Sequence, residues 1–147
     1  RVDVDALLDS LVCDYIDANQ SVILRGEIGA ILLTRPHTLK RIIINLVNNA
    51  LKFANEVEIH ITLTSVQLIS VAVLDRGPGI PERELAAVLQ PFYRVENSRN
   101  RSTGGTGLGL AIAQQLSKAL QGAITLKNRQ GGGLEATLRF QMIVAVK

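Results

Sequence analysis

Residues 57–75 read VEIHITLTSVQLISVAVLD, and their periodicity decides the fold. Val57, Ile59, Ile61 and Leu63 alternate with Glu58, His60, Thr62 and Thr64, the period of two that marks a strand with one buried and one wet face. Residues 68–74 form a second, more apolar strand ending at Asp75. Residues 122–128 and 134–142 read as two further strands joined by Gly131-Gly132-Gly133. In the second of these, Leu134, Ala136, Leu138 and Phe140 alternate with Glu135, Thr137 and Arg139. Strands patterned this way need cover on one face only.

The rest of the chain supplies that cover. Residues 5–18 carry Leu7, Leu8, Leu11, Val12, Tyr15 and Ile16 at helical spacing. Pro36 suits the first turn of a second helix reaching about Phe53, and residues 108–120 form a third. A short helix is expected over residues 82–89. Residues 21–25 and 30–34 are short apolar runs separated by Gly26 and Gly29 and are expected to pair as a hairpin. Residues 90–105 are polar, basic and without period, hence a long loop. The expected architecture is an α/β two-layer sandwich, a mixed sheet with its helices on one face.

A chain of 147 residues suits one domain, here 1–147. Without Trp, and with only 3% aromatics, its core has to be aliphatic. A net charge of +3 is too small to argue for nucleic acid, and none is expected as a partner. Cys13 is alone, so no internal disulfide can form, and its place on an apolar stripe suggests a buried thiol. No apolar run reaches the roughly 18–20 residues of a membrane helix, and no signal peptide is visible. The chain begins at Arg1 without Met and reads as a piece of something longer.

Three stretches carry chemistry. On the helix of residues 39–53, the polar residues Arg41, Asn45, Asn48, Asn49 and Lys52 crowd into one narrow arc. The arc could be a plain solvent face, but Asn is a mediocre helix former and such faces favour Glu, Lys, Gln or Arg. Asn45 and Asn49, one turn apart, can instead turn carbonyl oxygens toward a hard cation such as Mg²⁺, which shares its ligands with phosphate. Lys52, a further turn along, would meet the phosphates as a point charge. Asp75-Arg76-Gly77-Pro78-Gly79-Ile80-Pro81 could be an ordinary tight turn. Yet Asp75 ends an apolar strand, where a carboxylate needs a partner, and the exocyclic amine of adenine is a suitable one. Gly104-Gly105-Thr106-Gly107-Leu108-Gly109-Leu110 opens a helix, and its backbone N–H groups form a nest for phosphate. A dinucleotide fold does not fit, because no strand precedes these glycines and Lys127 and Asn128 stand where a ribose-binding acid belongs.

These stretches resemble the motifs of one family. Residues 45–53, NLVNNALKF, resemble the N box of histidine kinases, and Asp75-Arg76-Gly77-Pro78-Gly79 their first glycine box. Pro91-Phe92-Tyr93-Arg94 is similar to the F box, and residues 105–110, GTGLGL, to the second glycine box. Four motifs stand in the family's order across nearly the whole chain. The resemblance implies the ATP-binding fold shared with type II topoisomerases, mismatch-repair ATPases and heat-shock chaperones, with ATP and Mg²⁺ as its ligands. It implies Asn49 as the Mg²⁺ ligand supported by Asn45, Lys52 as a phosphate contact, and Phe53 where the family often has Tyr packing on adenine. Asp75 would read adenine, with Gly77 and Gly79 beneath the ring and Ile80 among the nucleotide contacts. The segment from Phe92 to Thr103 would be a lid over the nucleotide, with Arg94, Arg99 and Arg101 its cationic candidates and Lys52 and Arg94 the catalytic ones. Gly105, Thr106, Gly107, Leu108, Gly109 and Leu110 would cradle phosphate.

The implied reaction is transfer of the γ-phosphoryl group to a histidine on a separate dimerisation hairpin of the same kinase, with a response regulator downstream. The resemblance also implies a homodimeric, membrane-anchored full-length sensor whose catalytic part lies in the cytoplasm at the inner membrane. His60 falls on the wet strand face and His37 beside a helix-initiating proline, so both read as surface residues. A hydrolytic ATPase of the same superfamily would place Glu one turn before the metal-binding Asn, where this chain has Asn45. A pseudokinase would not need the intact Asn49, Asp75 and glycines. A serine kinase of the anti-sigma type remains the other alternative, against which the arginine-bearing lid and full F box weigh.

Overall fold

The computed structural model describes residues 1–64, 67–90 and 109–141. In chain order the elements are β1 (Val2–Asp3), α1 (Val4–Asp17), β2 (Ser21–Arg25), β3 (Ile31–Leu32), α2 (Pro36–Leu51), β4 (Glu56–Leu63) and β5 (Leu68–Asp75). Two short 3₁₀ turns follow at Glu82–Glu84 and Ala87–Leu89, then α3 (Gly109–Ala119), β6 (Ala123–Asn128) and β7 (Leu134–Gln141). The turns stand where one short helix was expected, and the lid lies outside the described residues.

Five strands form one mixed sheet in the order β2-β4-β5-β7-β6. Only β2 and β4 run parallel, and the other pairs are antiparallel. Period-two patterning puts Val57, Ile59, Ile61, Ile69, Val71, Val73, Ala136, Leu138 and Phe140 on one face, all essentially inaccessible. The helices cover that face, with Leu8 and Leu11 from α1, Leu39, Ile42, Ile43, Leu46 and Val47 from α2, and Leu110 and Ala113 from α3. The buried layer is aliphatic apart from Phe140, as the aromatic count requires.

Two expectations fail for physical reasons. Residues 21–25 and 30–34 do not form a hairpin: β2 pairs with β4, and β3 pairs antiparallel with β1. The loop between them is held elsewhere, because the Asp5 carboxylate on α1 accepts from the N–H of Ile28 at 3.0 Å and of Gly29 at 2.8 Å. Gly26 lies against the Ile61 carbonyl with φ +88°, leaving no room for a side chain. Short apolar runs flanked by glycine mark a crossover to a parallel strand as well as they mark a hairpin. Cys13 is exposed rather than buried, because α1 turns Val4, Leu8, Leu11 and Val12 inward and leaves Cys13 and Ile16 outside that stripe.

The helix-covered face carries the stability. Leu138→Ala, a fully buried truncation, should cost about 2–5 kcal/mol in urea unfolding. Arg139→Ala, on the opposite face where the guanidinium meets Thr125, should stay within about 0.5 kcal/mol of wild type. Equal losses at the two positions would refute the one-sided core.

Candidate functional site

Asp75 sits at the last position of β5 and is 5% exposed. Its register partner on β4 is Val57, so the side chain lies on the helix-covered face. Oδ1 accepts from the N–H of Gly77 at 2.8 Å and of Leu134 at 3.2 Å. Among the described residues Oδ2 takes no donor. The carboxylate is therefore oriented by two backbone amides through one oxygen, and among the described residues the other has no donor.

Gly77 brings the loop against the end of α2. A Cβ at Gly77 would lie 2.8 Å from the Phe53 carbonyl oxygen and 3.2 Å from Asp75 Oδ1. Phe53 lies just beyond α2 and is 38% exposed, an unusual state for the second largest apolar side chain type. Gly79, at φ +74°, has the Asn128 side-chain oxygen 2.7 Å from where a Cβ would stand. Ile80 packs against the core.

The polar arc of α2 divides in two. Asn48 is explained by structure, since the Tyr15 hydroxyl on α1 donates to its Oδ1 at 2.7 Å. Burial pushes the Tyr15 phenol up from its ordinary value. Asn45 and Asn49 are half-buried with no side-chain partner among the described residues. The Asn45 Nδ2 is fully buried and unpaired. An unsatisfied buried amide costs about 1–3 kcal/mol, so a site that tolerates one has a use for it. Lys52 is exposed at the α2 C-cap. The structure thus brings Phe53, just past the end of α2, against the loop of Asp75, Gly77, Gly79 and Ile80, with Asn49 in the last turn of α2 and Lys52 at its C-cap.

Of the second glycine box only Gly109 and Leu110 are described. Gly109 starts α3, and Leu110 is buried beneath it. Phe92, Arg94, Arg99, Arg101, Thr103, Gly105, Thr106, Gly107 and Leu108 lie outside the described residues. Among the described residues no cluster of three His, Cys, Asp or Glu side chains could hold a metal. His37 is exposed, and His60 lies on the uncovered face within 3.5 Å of Glu58.

Sequence reasoning missed Asn128, Arg129 and the closeness of the β6–β7 turn to this loop. The Arg129 guanidinium donates to the Asp75 carbonyl at 2.9 Å, and that of Arg76 donates to the carbonyls of Gln130 at 2.8 Å and Gly132 at 2.9 Å. The signal was available in Gly131-Gly132-Gly133, since three consecutive glycines exceed what a hairpin turn needs and mark a close backbone approach.

The family described as histidine kinase-, DNA gyrase B-, and HSP90-like ATPase matches residues 34–143, which include the N box, both glycine boxes and the Asp75 loop. The chain belongs to this ATPase family. Its relatives include the sensor histidine kinase RcsC of Salmonella typhimurium, 32% identical over 130 residues, or 87% of this chain and 13% of RcsC. The sensor histidine kinase RppB of Synechocystis is 39% identical over 138 residues, or 92% of this chain and 30% of RppB. The ATPase domain therefore spans less than a third of either relative. The ATP-binding domain of PrrB from Mycobacterium tuberculosis superposes with TM-score 0.74 at 26% identity, covering 99% of this chain and 96% of that one. Full-length ShkA in complex with AMPPNP superposes with TM-score 0.83 at 24% identity, over 99% of this chain and 31% of ShkA, a likeness of fold.

The division of the polar arc is testable. Tyr15→Phe removes the donor to an exposed Asn48 and should lower stability by about 0.5–1.5 kcal/mol in urea unfolding. Nucleotide affinity measured by calorimetry should not change. A large loss of affinity would place Asn48 in the site.

Proposed function

We propose that this ATPase domain binds Mg-ATP and donates the γ-phosphoryl group to a histidine on the separate dimerisation domain of the same kinase, in two-component signalling. The observation that carries the reading is the buried Asp75, one oxygen fixed by Gly77 and Leu134 and the other uncommitted, beside an exposed Phe53. A carboxylate so oriented accepts a hydrogen bond from the amine of adenine and repels the carbonyl that guanine presents in its place. Gly77 and Gly79 let the loop pack closely against Phe53 and Asn128, and the exposed Phe53 offers a flat ring an apolar surface. The named sensor histidine kinases among the relatives support phosphoryl transfer to a histidine; a response regulator downstream and a dimeric, membrane-anchored whole are part of the proposal.

The donor set fits Mg²⁺. The residues are neutral amides rather than a carboxylate cage, which suits an ion that keeps water and takes its remaining oxygens from phosphate. Asn49, supported by Asn45, would hold it through side-chain oxygens, while the unpaired Asn45 Nδ2 is a donor suited to an acceptor oxygen and not to the cation. When bound, Mg²⁺ supplies neutralisation of phosphate charge. Lys52 would add a cation at the end of α2, and Gly109 and Leu110, at the start of α3, would form the end of a phosphate nest. Arg94, Arg99 and Arg101 complete the proposal as cations brought over the phosphates, with Phe92, Thr103 and residues 105–108 as further contacts.

Asp75→Asn keeps an oxygen for Gly77 and Leu134 but replaces the free oxygen with a donor. It should weaken ATP by tenfold or more, the worth of one charge-assisted hydrogen bond at about 1.5–3 kcal/mol, with the fold intact by circular dichroism. Equal ATP and GTP affinity in the wild-type chain would overturn the adenine assignment. In Asn49→Ala the Mg²⁺ dependence of nucleotide binding should disappear, and an unaltered Mg²⁺ effect in calorimetry would remove Asn49 from the metal. Incubated with γ-labelled ATP, the chain should label a separately supplied dimerisation hairpin and not itself. Acid-labile phosphate on His37 or His60 would contradict the proposed division of the reaction.

A further inference from the structure

The register of the sheet places one polar side chain directly behind the proposed adenine loop. Asn128 ends β6 and pairs with Leu134 on β7, whose N–H binds the Asp75 carboxylate. Asn128 thus stands on the helix-covered face, in the same row as Asp75 and two strands away. Its side chain pairs mainly with the backbone of Ile80. Oδ1 accepts from the Ile80 N–H at 2.9 Å, and Nδ2 donates to the Ile80 carbonyl at 2.5 Å and reaches Glu82 Oε1 at 3.5 Å. An amide side chain used in this reciprocal way acts as one more rung of backbone pairing, and only Asn or Gln carries both groups. Gly79 yields to it, because any side chain there would strike Asn128 Oδ1.

The neighbouring contacts converge on the same loop. The Arg129 guanidinium holds the Asp75 carbonyl, and Arg76 reaches back to the carbonyls of Gln130 and Gly132. Gly133, at φ +107°, lies so close to the Asp75 carbonyl that a Cβ could not be accommodated. The loop of residues 75–80 is therefore fixed at its start by Arg129, Gly133 and Leu134 and at its end by Asn128.

We propose that Asn128 is a positioning residue that fixes the far end of this loop and so sets the selectivity for adenine without touching the nucleotide, an inference that rests on the adenine reading above. Releasing Ile80 frees Gly79 and Gly77 to shift, and the uncommitted Asp75 oxygen loses its fixed relation to the surface beneath the ring. Binding energy contributed by phosphate contacts is independent of that relation. Loss of Asn128 then lowers ATP affinity and leaves GTP affinity, which lacks the adenine contact, where it was.

The test is displacement of a fluorescent adenine nucleotide by ATP and by GTP, in wild type, Asn128→Ala and the control Thr125→Ala on the exposed face of β6. The expected result is about a tenfold loss for ATP in Asn128→Ala, little change for GTP, and a control like wild type. If ATP and GTP fall together, or the ATP-to-GTP ratio stays at its wild-type value, Asn128 has no positioning role. Should Asn128→Ala fail to fold, Arg76→Ala releases the turn from the other side and is expected to shift the ratio in the same direction; an unchanged ratio there overturns the proposal. A wild-type chain without preference for ATP instead removes the adenine reading and this inference with it, a result distinguishable from the others before any variant is made.

Discussion

A carboxylate buried at the end of an apolar strand is the constraint around which this molecule is arranged. Desolvating an ionised group without partners is prohibitive, yet Asp75 follows Val71, Ala72, Val73 and Leu74 and is almost inaccessible. Two backbone amides satisfy one oxygen, and both come from segments that must approach closely to deliver them. Gly77 makes the chain turn back on its own strand, and Leu134 arrives because the turn before it, three glycines at positive φ, lets β7 start against the Asp75 backbone. Arginines at 76 and 129 then tie the two turns to each other through main-chain carbonyls. A larger side chain at Gly77 or Gly133 would disturb the carboxylate before it disturbed the core.

The one-sided sheet explains why such a site can be open. Helices cover the face bearing Ile59, Val71 and Leu138, and α2 ends at Leu51, short of the strand ends. Because α2 buries Leu39, Ile42, Ile43, Leu46, Val47 and Ala50, its remaining arc has a fixed direction. Among the described residues Asn45 and Asn49 have no side-chain hydrogen bond. Tyr15 absorbs Asn48 and so separates the structural asparagine from the other two.

The period-two strands, the three helices and the one-sided cover were legible in the sequence because each is a local signal. That Asp75 needs partners was legible for a related reason, since a charge closing an apolar run contradicts its surroundings, and the amides of Gly77 and Leu134 supply them. What could not be read is pairing. The apolar runs before and after Gly26 and Gly29 fit a hairpin as well as the parallel β2–β4 pair, and the choice depends on Asp5, more than 20 residues away, accepting from Ile28 and Gly29. Cys13 followed the stripe of α1 in sequence but falls outside the arc that α1 buries. Asn128 was invisible for the same reason as the hairpin, because its partner Ile80 is 48 positions earlier and the contact exists only once β7 lies between β5 and β6.

Under the proposed function, the placement of the histidines bears on why the reaction needs a second domain. An in-line attack on the γ-phosphoryl group requires a nucleophile held within a few tenths of an ångström of its path, and most of the rate comes from that positioning. His60 sits on the uncovered face of β4, where the Arg25–Glu58 pair engages it, while Asp75 and the asparagines lie across the sheet on the covered side. His37 is in the first turn of α2, and the asparagines are two to three turns along the same helix. At about 1.5 Å of rise per residue, Asn49 is roughly 18 Å from it. Neither imidazole can meet the phosphate. Asn45 occupies the turn where the hydrolytic relatives implied by the resemblance carry Glu, and an amide cannot take a proton from water. Among the described residues no group is placed to attack or to activate an attacker, which agrees with the proposal that the acceptor is brought by another part of the protein.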